Sequence, residues 1–77
     1  MDELECREFV SNRIYQLRIE KNLSARELSL SLGMSAGYIN KIENGKAMPS
    51  LNSLFYICEY FMITLEEFFR IPTNDNT

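Results

Sequence analysis

Polar side chains that can bind a nucleic acid are concentrated in the middle of this 77-residue chain. Asn40 carries an amide that can pair with adenine, and Lys41 carries an ammonium group that can donate to guanine O6 and N7. Phosphate oxygens are suitable acceptors for Tyr38, Asn44 and Lys46, and such contacts fix register without reading sequence. These residues predict a nucleic-acid contact, although the same side chains are also compatible with an ordinary solvated helix face.

Catalytic or metal chemistry has no comparable set of residues. The chain has no histidine and only two cysteines, Cys6 and Cys58, so neither a zinc site nor a disulfide framework is expected. The adjacent Glu66 and Glu67 read as a helix start rather than a carboxylate dyad, and no nucleophile stands beside a base. We therefore expect a protein that is not an enzyme, without a metal or another cofactor.

The net charge of −3 is unevenly distributed along the chain. Residues 21–50 carry a net +2, whereas residues 1–20 carry −2 and residues 51–77 carry −3. Positive charge therefore gathers around the candidate contact segment. Because this field is modest, affinity for a polyanion must come largely from paired subunits and directed hydrogen bonds.

Length and composition predict one small domain. No apolar run approaches the roughly 20 residues that a membrane-spanning helix requires, and the acidic N-terminal residues argue against a secretion signal. We expect a single domain over residues 1–71, a flexible tail over residues 72–77, a cytoplasmic location and no membrane partner.

Apolar residues recur at helical spacing and predict five helices and no strand. Helix 1 is expected from Leu4 to Lys21. Ser24 and Glu27 form a capping box at the start of helix 2, and Gly33 supplies the turn after it. The inward residues of helix 1 are expected to be Leu4, Phe9, Val10, Ile14 and Leu17.

The later helices have their own start and stop signals. Ser35 is expected to cap helix 3, and Gly45 to end it in the left-handed conformation. Helix 4 begins at Pro49-Ser50, and a second capping box, Thr64 with Glu67, opens a helix 5 that ends near Arg70. The inward residues of helix 4 are expected to be Leu51, Leu54, Ile57, Cys58 and Phe61.

The string YINKIENGK (residues 38–46), followed by Pro49-Ser50-Leu51, resembles the lambda repressor/Cro type (Xre-like) of helix-turn-helix domain. The resemblance extends over residues 10–70. It implies an all-α, five-helix lambda repressor-like DNA-binding fold, in which a recognition helix at about 36–44 enters the major groove of double-stranded DNA. Further matching residues are Arg18, Glu27, Leu28, Ser29, Leu32, Gly33 and Ser35.

The resemblance also assigns roles to individual positions. It implies an ion pair between Arg18 and Glu43 that ties helix 1 to helix 3. The base-reading positions that it implies are Ala36, Gly37, Asn40 and Lys41. The phosphate contacts expected from the pattern and the resemblance together are Ser24, Arg26, Tyr38, Asn44 and Lys46.

The chain departs from the family pattern in three respects. Many relatives begin helix 2 with a phosphate-binding glutamine, where this chain has Ala25, and Arg26 is a candidate substitute. Ala36 and Gly37 offer no side-chain donor, so readout is expected to depend on few side chains and on DNA shape. Helix 4 of relatives usually ends at a glycine, and because Met62 takes that place we expect a different corner before helix 5.

Aromatic and large apolar residues are in excess at the C-terminal end. If exposed, they would form an apolar patch that suits a two-fold homodimer through helices 4 and 5. The alternative is that some of them simply enlarge the core. We define this predicted pairing surface as Phe55, Tyr56, Tyr60, Met62 and Phe69.

These observations together favour a sequence-specific DNA-binding transcriptional regulator. We expect it to be a repressor and to bind a palindromic operator as a homodimer. Two alternatives stay open. One is an antitoxin or a restriction–modification controller, which also binds DNA. The other is a protein-interaction module that has lost DNA binding, which the acidic net charge favours.

Overall fold

The computed structural model describes residues 1–70, which form five α-helices and no strand. The all-α, five-helix prediction is confirmed for this part of the chain, and the tail expected at residues 72–77 lies outside it. The helices are α1 (Glu3–Glu20), α2 (Ala25–Ser31), α3 (Tyr38–Glu43), α4 (Leu51–Phe61) and α5 (Leu65–Phe69).

Side-chain caps define where four of the five described helices begin, α3 being the exception. The two predicted capping boxes are present at α2 and α5. At α2, the Glu27 amide donates to Ser24 Oγ and the Ser24 amide donates to Glu27 Oε1. The hydrogen bond from the Ser24 amide stabilises the ionised carboxylate, so the pKa of Glu27 lies below its usual value. A third capping box, Asp2 with Glu5, starts α1 and was missed in the sequence.

The start of α3 differs from the prediction. Ser35 does not cap this helix, which begins at Tyr38 after Gly37 and has no side-chain cap. The physical reason is that the amides concerned have other partners. The Tyr38 amide donates to the Ser35 carbonyl oxygen at 3.1 Å, and the Ile39 amide donates to Ser29 Oγ. The predicted recognition helix at 36–44 is therefore shorter, and Ala36 lies with Gly37 in the preceding turn.

The core lies where α1, α3, α4 and α5 meet, with one leucine from α2. Leu4 and Leu51 were expected inside, and both expectations are wrong, since these side chains are 65% and 63% exposed. Each lies in the first turn of its helix, at an end where periodicity alone does not guarantee a packing partner. The buried apolar residues are Val10, Ile14, Leu17, Leu28, Ile39, Ile42, Leu54, Ile57, Cys58, Phe61 and Phe68.

The corner between α4 and α5 keeps the left-handed cap that a glycine usually provides. Met62 adopts φ 59° and ψ 42°, and the Ile63 amide donates to the Cys58 carbonyl oxygen. The expectation of a different corner is therefore wrong. The Met62 side chain is 90% exposed, so it meets no crowding from the rest of the domain. Gly45 takes its predicted left-handed conformation after α3.

Candidate nucleic-acid interface

Helix α3 has one buried face and one open face. Ile39 and Ile42 are fully buried in the core. Asn40 and Lys41, the residues next to them in sequence, are exposed on the other side, as is Asn44 at the helix end. The outer surface of α3 is therefore accessible to a partner from outside the chain.

Ser29 joins α2 to the first turn of α3. It is fully buried, and its hydroxyl accepts a hydrogen bond from the Ile39 amide at 3.0 Å. The same hydroxyl donates to the Ala25 carbonyl oxygen at 2.8 Å. In the sequence, Ser29 was identified only as one of the residues that match the family pattern. Its hydrogen bond to α3 could not be read from spacing, because the partner is a backbone amide ten residues away.

The substitution Ser29→Ala is expected to lower the free energy of unfolding by about 1–3 kcal/mol, because it leaves the buried Ile39 amide without an acceptor. Chemical unfolding followed by circular dichroism measures this change. Ser31→Ala is the matched control, since Ser31 is exposed on the same helix. Equal stability of the two variants would contradict the role assigned to the Ser29 hydroxyl.

The C-terminal end of α3 is held by an ion pair with α1. Arg18 Nε donates to Glu43 Oε2 and Nη2 donates to Glu43 Oε1, both at 2.7 Å, which is a bidentate arrangement. The third nitrogen, Nη1, donates to the Leu23 carbonyl oxygen. The side chains are only 13% and 11% exposed. The hydrogen bond to Glu43 outweighs the cost of burial and raises the pKa of Arg18.

Ser11 provides a second attachment at this end of α3. Its hydroxyl donates to the Ile42 carbonyl oxygen at 2.6 Å. Ser11 and Arg18 are seven residues apart on α1 and therefore lie on the same helix face. Because Ser11 lies on the same face of α1 as Arg18, the spacing of these two residues is the sequence signal that points to Ser11. Helix α3 is thus fixed at its start by α2 and at its end by α1.

The electrostatics of the α3 surface suit a polyanion. The only carboxylate in the helix is that of Glu43, which is paired with Arg18. Four exposed cations lie in the segment from 21 to 46, and none forms an ion pair within residues 1–70. They are Lys21, Arg26, Lys41 and Lys46.

The other predicted contact residues lie in several settings. Ala36 is half-buried and Gly37 is exposed, both in the turn that leads into α3. Tyr38 is half-buried against the core. Ser24 is exposed, but its oxygen already accepts from the Glu27 amide. Ala25 is half-buried and packs against the core, so its place at the start of α2 is structural.

The residues of the predicted pairing surface are all on the outside of the domain, with between 40% and 90% of each side chain exposed. Phe69 stacks on Phe9 with 5.9 Å between the ring centroids. The alternative that these residues enlarge the core is therefore wrong for all five of them, since each is exposed in the isolated chain.

Arg13 fixes α5, and with it one part of the pairing surface. Its Nε donates to the Phe68 carbonyl oxygen at 2.8 Å, and its Nη2 donates to the Glu67 carbonyl oxygen at 3.0 Å. Carbonyl groups in the last turn of a helix lack partners inside the helix, and an arginine is a favourable donor there. No sequence signal pointed to this contact, which joins residues more than fifty positions apart.

No helix within residues 1–70 has both the length and the apolar character needed to cross a bilayer. The same residues contain no group of three side chains that could hold a metal ion.

The order of helices and the two-point attachment of α3 define a helix-turn-helix domain. The helix-turn-helix family matches residues 14–68, and this chain belongs to that family, in its lambda repressor/Cro type. Among similar proteins is an uncharacterized HTH-type transcriptional regulator of Methanocaldococcus jannaschii, 35% identical over 60 residues, which cover 78% of this chain and 91% of the relative.

Two further relatives match over smaller shares of their length. The HTH-type transcriptional activator BcrR of Enterococcus faecalis is 37% identical over 57 residues, which are 74% of this chain but only 28% of that protein. The ImmF control region 10 kDa protein of Bacillus phage phi105 is 46% identical over 37 residues, which are 48% of this chain and 41% of the phage protein.

Solved structures support the same fold. A hypothetical transcription factor from Neisseria superposes with a TM-score of 0.81 over 94% of this chain and 83% of its own, at 18% identity. The clp gene regulator ClgR from Corynebacterium glutamicum superposes with a TM-score of 0.73 at 24% identity. The match covers 80% of this chain and 66% of the ClgR chain.

Proposed function

We propose that this chain is a sequence-specific DNA-binding transcriptional regulator that places the outer surface of α3 in the major groove. The observation that carries the proposal is the arrangement of α3. Its inner face is buried, its two ends are attached to other helices, and its outer face is exposed and free of unpaired carboxylates. A reading helix needs this combination of rigidity and access.

Individual residues take different parts in this proposal. Asn40 and Lys41 project from the exposed face and contact base edges. Ala36 and Gly37 have little side chain, so the turn before α3 can come close to the bases, with readout there depending on DNA shape. The proposed phosphate contacts are Ser24, Arg26, Tyr38, Asn44 and Lys46.

The proposal includes a homodimer on a palindromic operator. The exposed pairing surface supports it, because exposed apolar side chains on α4, on α5 and at the corner between them favour association. Two-fold pairing would set two copies of α3 on half-sites about one helical turn apart. Occupation of a promoter by such a dimer would repress transcription.

In vitro selection of random duplexes by the purified chain tests the proposal. We expect a palindromic consensus with two half-sites. A selection that yields no consensus would instead support the second candidate, a protein-interaction module that has lost DNA binding, which the overall charge of −3 favours. An antitoxin or a restriction–modification controller would give a consensus as well, and an antitoxin would in addition bind a partner toxin.

Lys41→Ala is expected to weaken binding to the selected duplex by about 1–3 kcal/mol while changing binding to random DNA much less, because Lys41 reads a base. Lys46→Ala is the matched control. It should lower the affinity for all duplexes evenly and reduce the slope of log K against log salt by about one unit. Fluorescence anisotropy at several salt concentrations measures both. An equal loss on random DNA for Lys41→Ala would mark it as a phosphate contact.

Tyr60→Glu is expected to shift the chain from dimer to monomer, because it places a charge in the pairing surface. Sedimentation velocity at micromolar concentration measures the change in mass. Leu30→Glu is the control, since it adds the same charge at an exposed leucine on α2 that is not part of the pairing surface. An unaltered mass for Tyr60→Glu would count against this surface as the dimer contact.

A further inference from the structure

The open face of α3 carries one side-chain hydrogen bond. Asn44 Nδ2 donates to Asn40 Oδ1 at 2.9 Å. The two residues are four apart, so they lie one above the other on the helix surface. Both are exposed, and the bond therefore lies where a duplex would be in contact with α3.

We propose that Asn44 is a positioning residue that orients the Asn40 amide for base reading. This inference rests on the proposed function and makes it more specific. It assigns Asn44 a part in sequence discrimination, beyond the phosphate contact expected from its place at the helix end. It also predicts which kind of base Asn40 reads.

The chemistry follows from the donors and acceptors of an asparagine. The side chain has one oxygen, which accepts, and one NH2 group, which donates twice. Because Asn44 holds the Asn40 oxygen, the NH2 group of Asn40 is the part left to face the duplex. Acceptors on the major-groove edge are guanine O6 and N7, thymine O4 and adenine N7, and among these bases only adenine also carries a donor there, the N6 group beside N7. The adenine pairing expected from sequence would require the held oxygen to accept a second donor from adenine N6.

The backbone around Asn44 is fixed well enough for this role. The Asn44 amide donates to the Asn40 carbonyl oxygen at 3.0 Å, and the amide of Gly45 donates to the Ile42 carbonyl oxygen at 3.0 Å. The preceding residue, Glu43, is held by Arg18. Asn44 thus starts from an anchored position, and only its side-chain torsions remain to be set by the bond to Asn40.

Selection of random duplexes by the wild type, Asn40→Ala, Asn44→Ala and the double variant tests the inference. We expect Asn40→Ala and Asn44→Ala to relax the preference at the same base position, each on the order of tenfold. The double variant should lose little beyond either single change, as expected for residues that act together. Lys46→Ala is the control, and it should keep the wild-type consensus at lower affinity.

A change of polarity gives a second test that does not depend on loss of binding. In Asn44→Asp the new carboxylate can only accept, so the Asn40 NH2 group should turn toward it and its oxygen should face the groove. The preferred base should then change from guanine or thymine to adenine or cytosine, which carry donors on this edge. Asn44→Gln keeps a donor and should retain the wild-type preference.

The outcomes separate this inference from the proposed function. If the wild type selects no consensus, the proposed function and this inference both fail. If the wild type selects a consensus that Asn44→Ala and Asn44→Asp keep at uniformly lower affinity, Asn44 is a phosphate contact and this inference alone is overturned. Circular dichroism melts of each variant should match the wild type, because both residues are exposed.

Discussion

Replacement of Glu43 by alanine is expected to lower the free energy of unfolding by about 3–5 kcal/mol, because it leaves the Arg18 guanidinium largely buried without its anionic partner. Both side chains are nearly enclosed, and two 2.7 Å hydrogen bonds join them. The loss would be a large part of the total stability of a domain of this size. Urea unfolding followed by circular dichroism at neutral pH measures it.

Two controls make this result specific to the ion pair. Glu59→Ala removes an exposed carboxylate that has no ion pair within residues 1–70, and it should change the stability little. The double change Arg18→Met with Glu43→Leu replaces both charges by apolar groups of similar volume and should recover most of the loss. A Glu43→Ala variant that unfolds at the wild-type urea concentration would show that the pair contributes little.

Phe68→Ala is expected to cost about 3–5 kcal/mol, because it empties the space of a fully buried ring. This ring holds the short helix α5 against the core, and the Arg13 guanidinium lies 5.9 Å from its centroid. The same unfolding experiment measures the loss. Removal of the ring should also weaken self-association, since α5 carries part of the pairing surface.

Phe69→Ala is the matched control for this prediction. Phe69 is the next residue, of the same type, but it lies on the outside and is 41% exposed. We expect a much smaller loss of stability and a clear loss of self-association by sedimentation. If Phe69→Ala unfolds as readily as Phe68→Ala, the assignment of one ring to the core and the other to the surface is wrong.

Local signals in the sequence were sufficient for most of the helix ends. The capping boxes at Ser24 and Thr64 and the left-handed glycine after α3 depend only on residues within one turn of each other. Ser35 shows where such signals fail. Its residue type favours a cap, but a buried hydroxyl from α2 takes the Ile39 amide, and a bond between helices is not visible in local sequence.

The candidate site also combines features that local sequence predicts with contacts that it does not predict. The buried and exposed positions of α3 follow from helical periodicity, so Ile39 and Asn40 could be assigned to opposite faces. Apart from the Arg18–Glu43 pair, which the family resemblance implied, the contacts that hold the site were not predicted from the sequence. Ser11 and Arg13 each donate to a backbone carbonyl, and every residue carries such an acceptor, so no side-chain type identifies the partner.

Large side chains at helix ends show a further limit of prediction from sequence. Leu4 and Leu51 have the spacing of core residues, but both lie in the first turn of a helix and are 65% and 63% exposed. Met62 has no glycine-like freedom, yet it takes the left-handed cap because its chain is unbranched and solvent surrounds it. Both cases depend on what lies next to a residue in space, which a periodic pattern does not record.

Dimethyl sulfate protection on the selected duplex tests the central claim most directly, because this reagent methylates guanine N7 in the major groove. The wild type should protect guanine N7 positions in two half-sites about one helical turn apart, and an Asn40→Ala, Lys41→Ala double variant should lose that protection. Tight binding that leaves every guanine N7 open to methylation would contradict the placement of α3 in the major groove.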